Sequence, residues 1–178
     1  MLVDVGPDGT FDCVICDFGF ANFIGDKRTL TSGLKVPSTT GISIRYAAPE
    51  LLERKHGNFR LNAEIDKKID VYAFGIMLYE IVGRCVSWNN LAARVIMNKV
   101  VEGKRPAFKT ENEDVNARFE MFPGLNEIAA KCWSANPADR PGFDEIYDGI
   151  SAIAILQAYE PLTRTQSRTL VSQMDTRK

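Results

Sequence analysis

The stretch 66–82 constrains this chain more than any other. Ile69, Val71, Tyr72, Phe74, Ile76, Met77, Leu78, Tyr79, Ile81 and Val82 leave it apolar on nearly every side, and Gly83 follows as a stop. A helix of that kind has no face to offer water. It predicts a buried central helix with other elements arranged around it.

Apolar spacing supplies those other elements. Residues 48–54 read as a short helix with Pro49 in its first turn. Residues 89–102 place Leu91, Val95, Ile96 and Val100 on one face, and Gly103 ends them. A further helix over 124–133 carries Leu125, Ile128, Ala129 and Cys132, and a last one over 141–156 carries Phe143, Ile146, Ile150 and Ile153. At the front, Met1-Leu2-Val3 and the apolar run 11–16 flank Gly6-Pro7-Asp8-Gly9, a turn signal that predicts a hairpin. Between them and the first helix, 17–46 is rich in Gly, Ser, Thr and Lys and reads as a long functional or mobile loop. After Pro161 the composition turns to Thr, Ser, Arg and Gln, which predicts a disordered tail over 156–178. The expected fold class is mainly α (α+β), a helical bundle with a small β-hairpin at its N-terminal edge.

Twenty-two basic against 23 acidic side chains leave a formal charge of −1, so nothing in the balance asks for nucleic acid or an anionic membrane. No apolar run reaches bilayer-spanning length, and Met1 is not followed by a signal segment. The expectation is a soluble, cytoplasmic protein. Cys13 and Cys16 form a Cys-x-x-Cys. On a strand, residues three apart point to opposite faces, no second pair follows and His56 is the single histidine, so reduced thiols are expected.

Three short runs carry the chemistry: Asp17-Phe18-Gly19, Ala48-Pro49-Glu50 and Asp139-Arg140-Pro141. A carboxylate directly after a strand, followed by a glycine that lets the backbone turn, suits a metal–phosphate site, because magnesium needs hard oxygen ligands. Asp70-Val71-Tyr72-Ala73-Phe74-Gly75 opens the apolar helix, and Cys132-Trp133 precedes Asn136-Pro137-Ala138-Asp139-Arg140-Pro141-Gly142-Phe143. In this order the runs resemble the C-terminal half, or large lobe, of a eukaryotic protein kinase domain. The last of them looks like the closing signature of tyrosine-kinase-like and tyrosine kinases.

The resemblance covers residues 1–155, with an activation segment over 17–50, and implies a role for each matching position. Asp17 would bind the magnesium that bridges the phosphates of ATP, with Phe18 packing inward and Gly19 allowing movement. Leu2 would floor the adenine pocket and Cys16 would face the nucleotide. Glu50 would pair with Arg140, and Asp70 would accept hydrogen bonds from the catalytic-loop backbone. Thr39, with Thr40 next, matches the activating phosphorylation position. Ser43 lies five residues before Ala48, where serine/threonine enzymes carry a hydroxyl facing the protein substrate. The proline and tryptophan usual in tyrosine kinases are missing from this stretch.

The sequence contains no glycine-rich loop, no Val-Ala-x-Lys strand and no His-Arg-Asp segment, so no catalytic aspartate can be named. Met1-Leu2-Val3-Asp4 matches the family's strand just after the catalytic-loop asparagine. The expectation is a truncated large lobe, without the small lobe and inactive alone, of a serine/threonine kinase that uses ATP and magnesium in signalling. The alternative is a non-catalytic module built from a kinase lobe, docking partners through a surface that includes 89–102.

Overall fold

A computed structural model describes residues 2–7, 9, 11–16, 43–53 and 63–157 of the chain, which divides into two compact units, Met1–Val36 and Pro37–Lys178. Within the first, β1 (Leu2–Val5) and β2 (Phe11–Val14) pair antiparallel, with Leu2 opposite Val14 and Val5 opposite Phe11. The Gly9 N–H donates to the Gly6 carbonyl at 3.0 Å, closing the turn. The expected hairpin is present, but β2 stops at Val14, so Cys16 lies beyond the strand. Cys13 is exposed, Cys16 half-buried, and both are free thiols.

The second unit is helical. A short turn of 3-10 helix, Ile44–Tyr46, leads into α1 (Pro49–Leu52), where Pro49 sits at the first helical position and loses no hydrogen bond there. Then come α2 (Ala63–Gly83), α3 (Ala93–Val101), α4 (Glu113–Met121), α5 (Pro123–Cys132), a second 3-10 turn at Pro137–Asp139, and α6 over 143–157.

α2 is the axis. Tyr72, Ile76, Leu78, Tyr79 and Val82 join Ala48, Ile96, Val100, Val115, Phe119, Ala129 and Trp133 in one buried cluster. On another side, Val71 meets Cys132 and Ile146 in a smaller one. Four rings interlock at the centre: Tyr79 lies 4.8 Å from Phe119 and 5.8 Å from Trp133, while Phe108 reaches all three. α2 and α5 cross closely because Gly75 has no side chain there; a Cβ on it would stand 2.7 Å from that of Cys132.

Two helix starts and one whole helix differ from expectation. α2 starts at Ala63, a turn before its apolar run, because Ala63, Glu64, Lys67 and Lys68 are good helix formers. Asp70 therefore sits well inside the helix rather than near its start. α3 starts at Ala93, not Asn89, since Trp88 and Asn90 hold φ of 53° and 61°, left-handed values that no α-helix contains. Its end is as expected: Gly103 at φ 81° lets Lys104 N–H reach Lys99 O and Gly103 N–H reach Val100 O, a Schellman closure. α4 has no counterpart among the sequence-predicted elements. Asn112 caps it, its side-chain oxygen accepting from the N–H groups of Asp114 and Val115 at 3.0 and 3.2 Å.

Candidate functional site

The site is built where the chain leaving Ser43 docks on α2. Ala47, Ala48 and Pro49 are buried, so the segment is an integral part of the core surface rather than a loose loop. Glu50, in the first turn of α1, projects toward Arg140, which follows the second 3-10 turn. Two parallel hydrogen bonds join them, Nη1 to Oε1 at 2.6 Å and Nη2 to Oε2 at 2.9 Å.

The Arg140 side chain is fully enclosed, at 0% exposure against 13% for Glu50. Its remaining donors are used as well. Nε reaches the Ser134 carbonyl at 2.9 Å and Nη1 also reaches that of Lys68 at 2.9 Å, while the Lys68 ammonium donates to the Arg140 carbonyl. A buried guanidinium survives only when its fork of N–H groups is satisfied in this way.

Beneath the pair lies Tyr72, fully buried, with the guanidinium carbons of Arg140 and Arg105 at 5.1 and 5.2 Å from its ring centroid. Burial pushes the Tyr72 phenol up, and its hydroxyl has no hydrogen-bond partner among the described residues. Burial also lowers the Arg105 pKa, and Arg105 donates from Nε to the Trp133 carbonyl at 2.8 Å.

A second polar anchor holds the same segment. The Tyr46 hydroxyl donates to Glu80 Oε2 at 2.7 Å, while Oε1 accepts from the backbone N–H and the hydroxyl of buried Ser87 at 2.8 and 2.7 Å. Burial first, and then the Glu80 carboxylate, push the Tyr46 phenol up to about 12. Sequence reasoning missed this anchor, although Glu80 is the lone charge between Asp70 and Gly83 in an apolar helix.

The other sequence-predicted residues fall as follows. Ser43 is exposed at the head of the docked segment, and Asp70 is exposed on α2, its carboxyl raised by partial burial. Leu2 is in β1 and Cys16 follows β2. Asp17, Phe18, Gly19, Thr39 and Thr40 lie outside the described residues. No helix among the described residues is long and apolar enough to cross a membrane.

Residues 6–150 match the family model described as protein tyrosine and serine/threonine kinase. The chain belongs to that kinase family. The kinase relatives it resembles include serine/threonine-protein kinase VIK of Arabidopsis thaliana, 31% identical over 137 residues, which are 77% of this chain and 27% of that protein. Dual specificity protein kinase pyk3 of Dictyostelium discoideum is 30% identical over 133 residues, 74% of this chain and 8% of pyk3. Receptor-interacting serine/threonine-protein kinase 3 of Rattus norvegicus is 29% identical over 147 residues, 80% of this chain and 28% of that kinase. The chain thus spans less than a third of the length of these curated kinases.

Proposed function

We propose that residues 1–155 are the large-lobe part of a serine/threonine protein kinase of the tyrosine-kinase-like group. In the intact kinase this lobe would present a protein hydroxyl to ATP. The observation that carries the reading is the bidentate Glu50–Arg140 pair, which clamps the segment headed by Ser43 onto the helical base. A surface hydroxyl becomes a useful acceptor only when the backbone around it is held in one place. Ser43, in a stretch without the proline and tryptophan usual in tyrosine kinases, supports a Ser/Thr preference.

On this reading Asp17 is a magnesium ligand, Leu2 and Cys16 line the nucleotide, and Phe18 and Gly19 set the Asp17 backbone. Thr39 and Thr40 are the positions where a phosphate would order 17–50, Asp70 braces the catalytic loop, and 156–178 form a tail. The donor chemistry fits magnesium in part: Asp17 offers hard oxygens, while no group of three or more His, Cys, Asp or Glu side chains converges among the described residues. When bound, magnesium would neutralise phosphate charge. The part this chain itself plays is to hold and orient the accepting segment.

The residues that would orient the attacking hydroxyl, the His-Arg-Asp segment, are not among the 178. The isolated polypeptide is therefore expected to transfer no label from magnesium–[γ-³²P]ATP to a generic protein substrate. Turnover abolished by Asp17→Asn would overturn that expectation. The kinase reading itself is tested in the genomic DNA upstream of Met1. An open frame encoding a glycine-rich loop, a strand lysine and His-Arg-Asp supports it. A promoter directly before Met1 would favour the docking module.

A further inference from the structure

α2 is covered on most sides, and one stripe of it is left bare. Asp70, Ala73, Phe74, Met77 and Ile81 follow one another at three- and four-residue spacing, so they share a face. The core residues Tyr72, Ile76, Tyr79 and Val82 lie on the other side of the helix. Asp70 and Ile81 are exposed, Ile81 at 55%, while Ala73, Phe74 and Met77 are half-buried. Met77 packs against neither buried cluster. Exposed Phe143 of α6 stands edge-on to Phe74, with 5.8 Å between ring centroids, and widens the apolar ground. A stripe of that composition is stabilised when a second apolar surface takes it out of water.

The ends of the stripe say what that surface is. Asp70 stands at one end. Arg84, exposed and at φ 48° just past Gly83, stands at the other, about 21 Å away along the helix axis. Neither side chain forms an ion pair among the described residues. Arg118 donates to the Gly83 carbonyl and adds a second positive charge at the Arg84 end. Partial burial already raises the Asp70 carboxyl, so a cation brought beside it stabilises the charged form that burial disfavours. Two such helices laid antiparallel about a two-fold axis set each Asp70 against the Arg84 of the other copy, and each small Ala73 against a large Ile81.

We infer that the bare stripe of α2 is a self-association surface, on which two copies of this chain pair α2 against α2, antiparallel, with Met77 on the two-fold axis and Asp70 of each copy facing Arg84 of the other. The inference concerns the 178-residue polypeptide and stands apart from the kinase reading, in which Asp70 braces a catalytic loop whose His-Arg-Asp segment is not among these residues.

Sedimentation equilibrium of the full chain over about 1–100 μM is expected to show a monomer–dimer equilibrium that stops at two copies, because a two-fold contact is used up in the dimer. Ile81→Glu, at an exposed position, should give a monomer with an unchanged thermal melt. Asp70→Arg and Arg84→Asp should each weaken the dimer by about tenfold or more, since each reversal replaces two ion pairs with two repulsions. The double variant should recover most of the parent's affinity. A parent chain that is monomeric at about 100 μM, or whose mass keeps growing with concentration, would overturn the inference. So would a dimer that Ile81→Glu leaves intact. Single reversals without effect, or a double variant that fails to restore what they weaken, would overturn the antiparallel Asp70–Arg84 pairing.

Discussion

Gly75 of α2 and Cys132 of α5 touch with no side chain between them, and a Cβ on the glycine would stand 2.7 Å from the cysteine Cβ and 3.0 Å from the Ala129 carbonyl. Both neighbours are stiff, one of them backbone, so neither can swing aside. The crossing distance of the two central helices is set by the absence of one methyl group.

Gly75→Ala is therefore expected to lower stability by about 1–3 kcal/mol through overpacking, in spite of the better helix propensity of alanine. Urea denaturation followed by circular dichroism measures it. A midpoint equal to or above that of the parent would mean that the helices have room to spare.

Arg140→Ala removes the guanidinium that satisfies Glu50 and the backbone carbonyls of Lys68, Ser134 and Ala135, and should cost about 3–5 kcal/mol. Glu50→Gln should cost less, because an amide oxygen still accepts one hydrogen bond. A double-mutant cycle between the two positions should return strong coupling. Additive effects would show that the two side chains act independently.

Tyr46 titrates well above a free tyrosine, near 12 in the folded chain. The proton is held more tightly in the native state than in the unfolded one, whose phenol ionises near 10. The resulting stabilisation is fully present below about pH 10 and is lost as pH rises through the native value. Phenolate absorbance of the parent minus Tyr46→Phe should therefore show one tyrosine ionising near 12. A difference curve centred near 10 would mean that the Glu80 contact does not persist in solution.

Tyr72→Phe deletes a buried hydroxyl that has no partner, and should leave stability unchanged or raise it by up to about 1 kcal/mol. The ring, with its two guanidinium neighbours, is retained. A loss of more than about 1 kcal/mol would reveal an acceptor for the hydroxyl.

The sequence was most readable where one physical signal dominated. The nearly all-apolar run around Ile69–Val82 could only be an axis, and α5 and α6 showed their buried residues, Ala129, Cys132 and Ile146, at helical spacing. α4 was less visible: nine residues with Val115 and Phe119 as their apolar anchors carry a weak periodicity, and the capping signal in Asn112 with Glu113 and Asp114 is local and easily matched by chance. The start of α3 was misplaced because left-handed φ at Trp88 and Asn90 is set by the packing of that loop, and neither residue is a glycine that would announce it. In the site, Glu50 and Arg140 were legible through motif order. The Tyr46–Glu80–Ser87 anchor and the second guanidinium over Tyr72 were not, since hydrogen-bond partners 34 and 7 positions apart leave no periodic trace.

The Glu50–Arg140 clamp also bears on how the chain is made. Its halves are 90 positions apart. At bacterial or eukaryotic synthesis rates the acid emerges from the ribosome on the order of ten seconds before its arginine. During that interval α1 has no ionic seat and α2 exposes apolar sides that α5 and α6 will later cover. Nascent chains stalled before α6 has cleared the ribosome should thus be clients for holding chaperones, and released full-length chains should not.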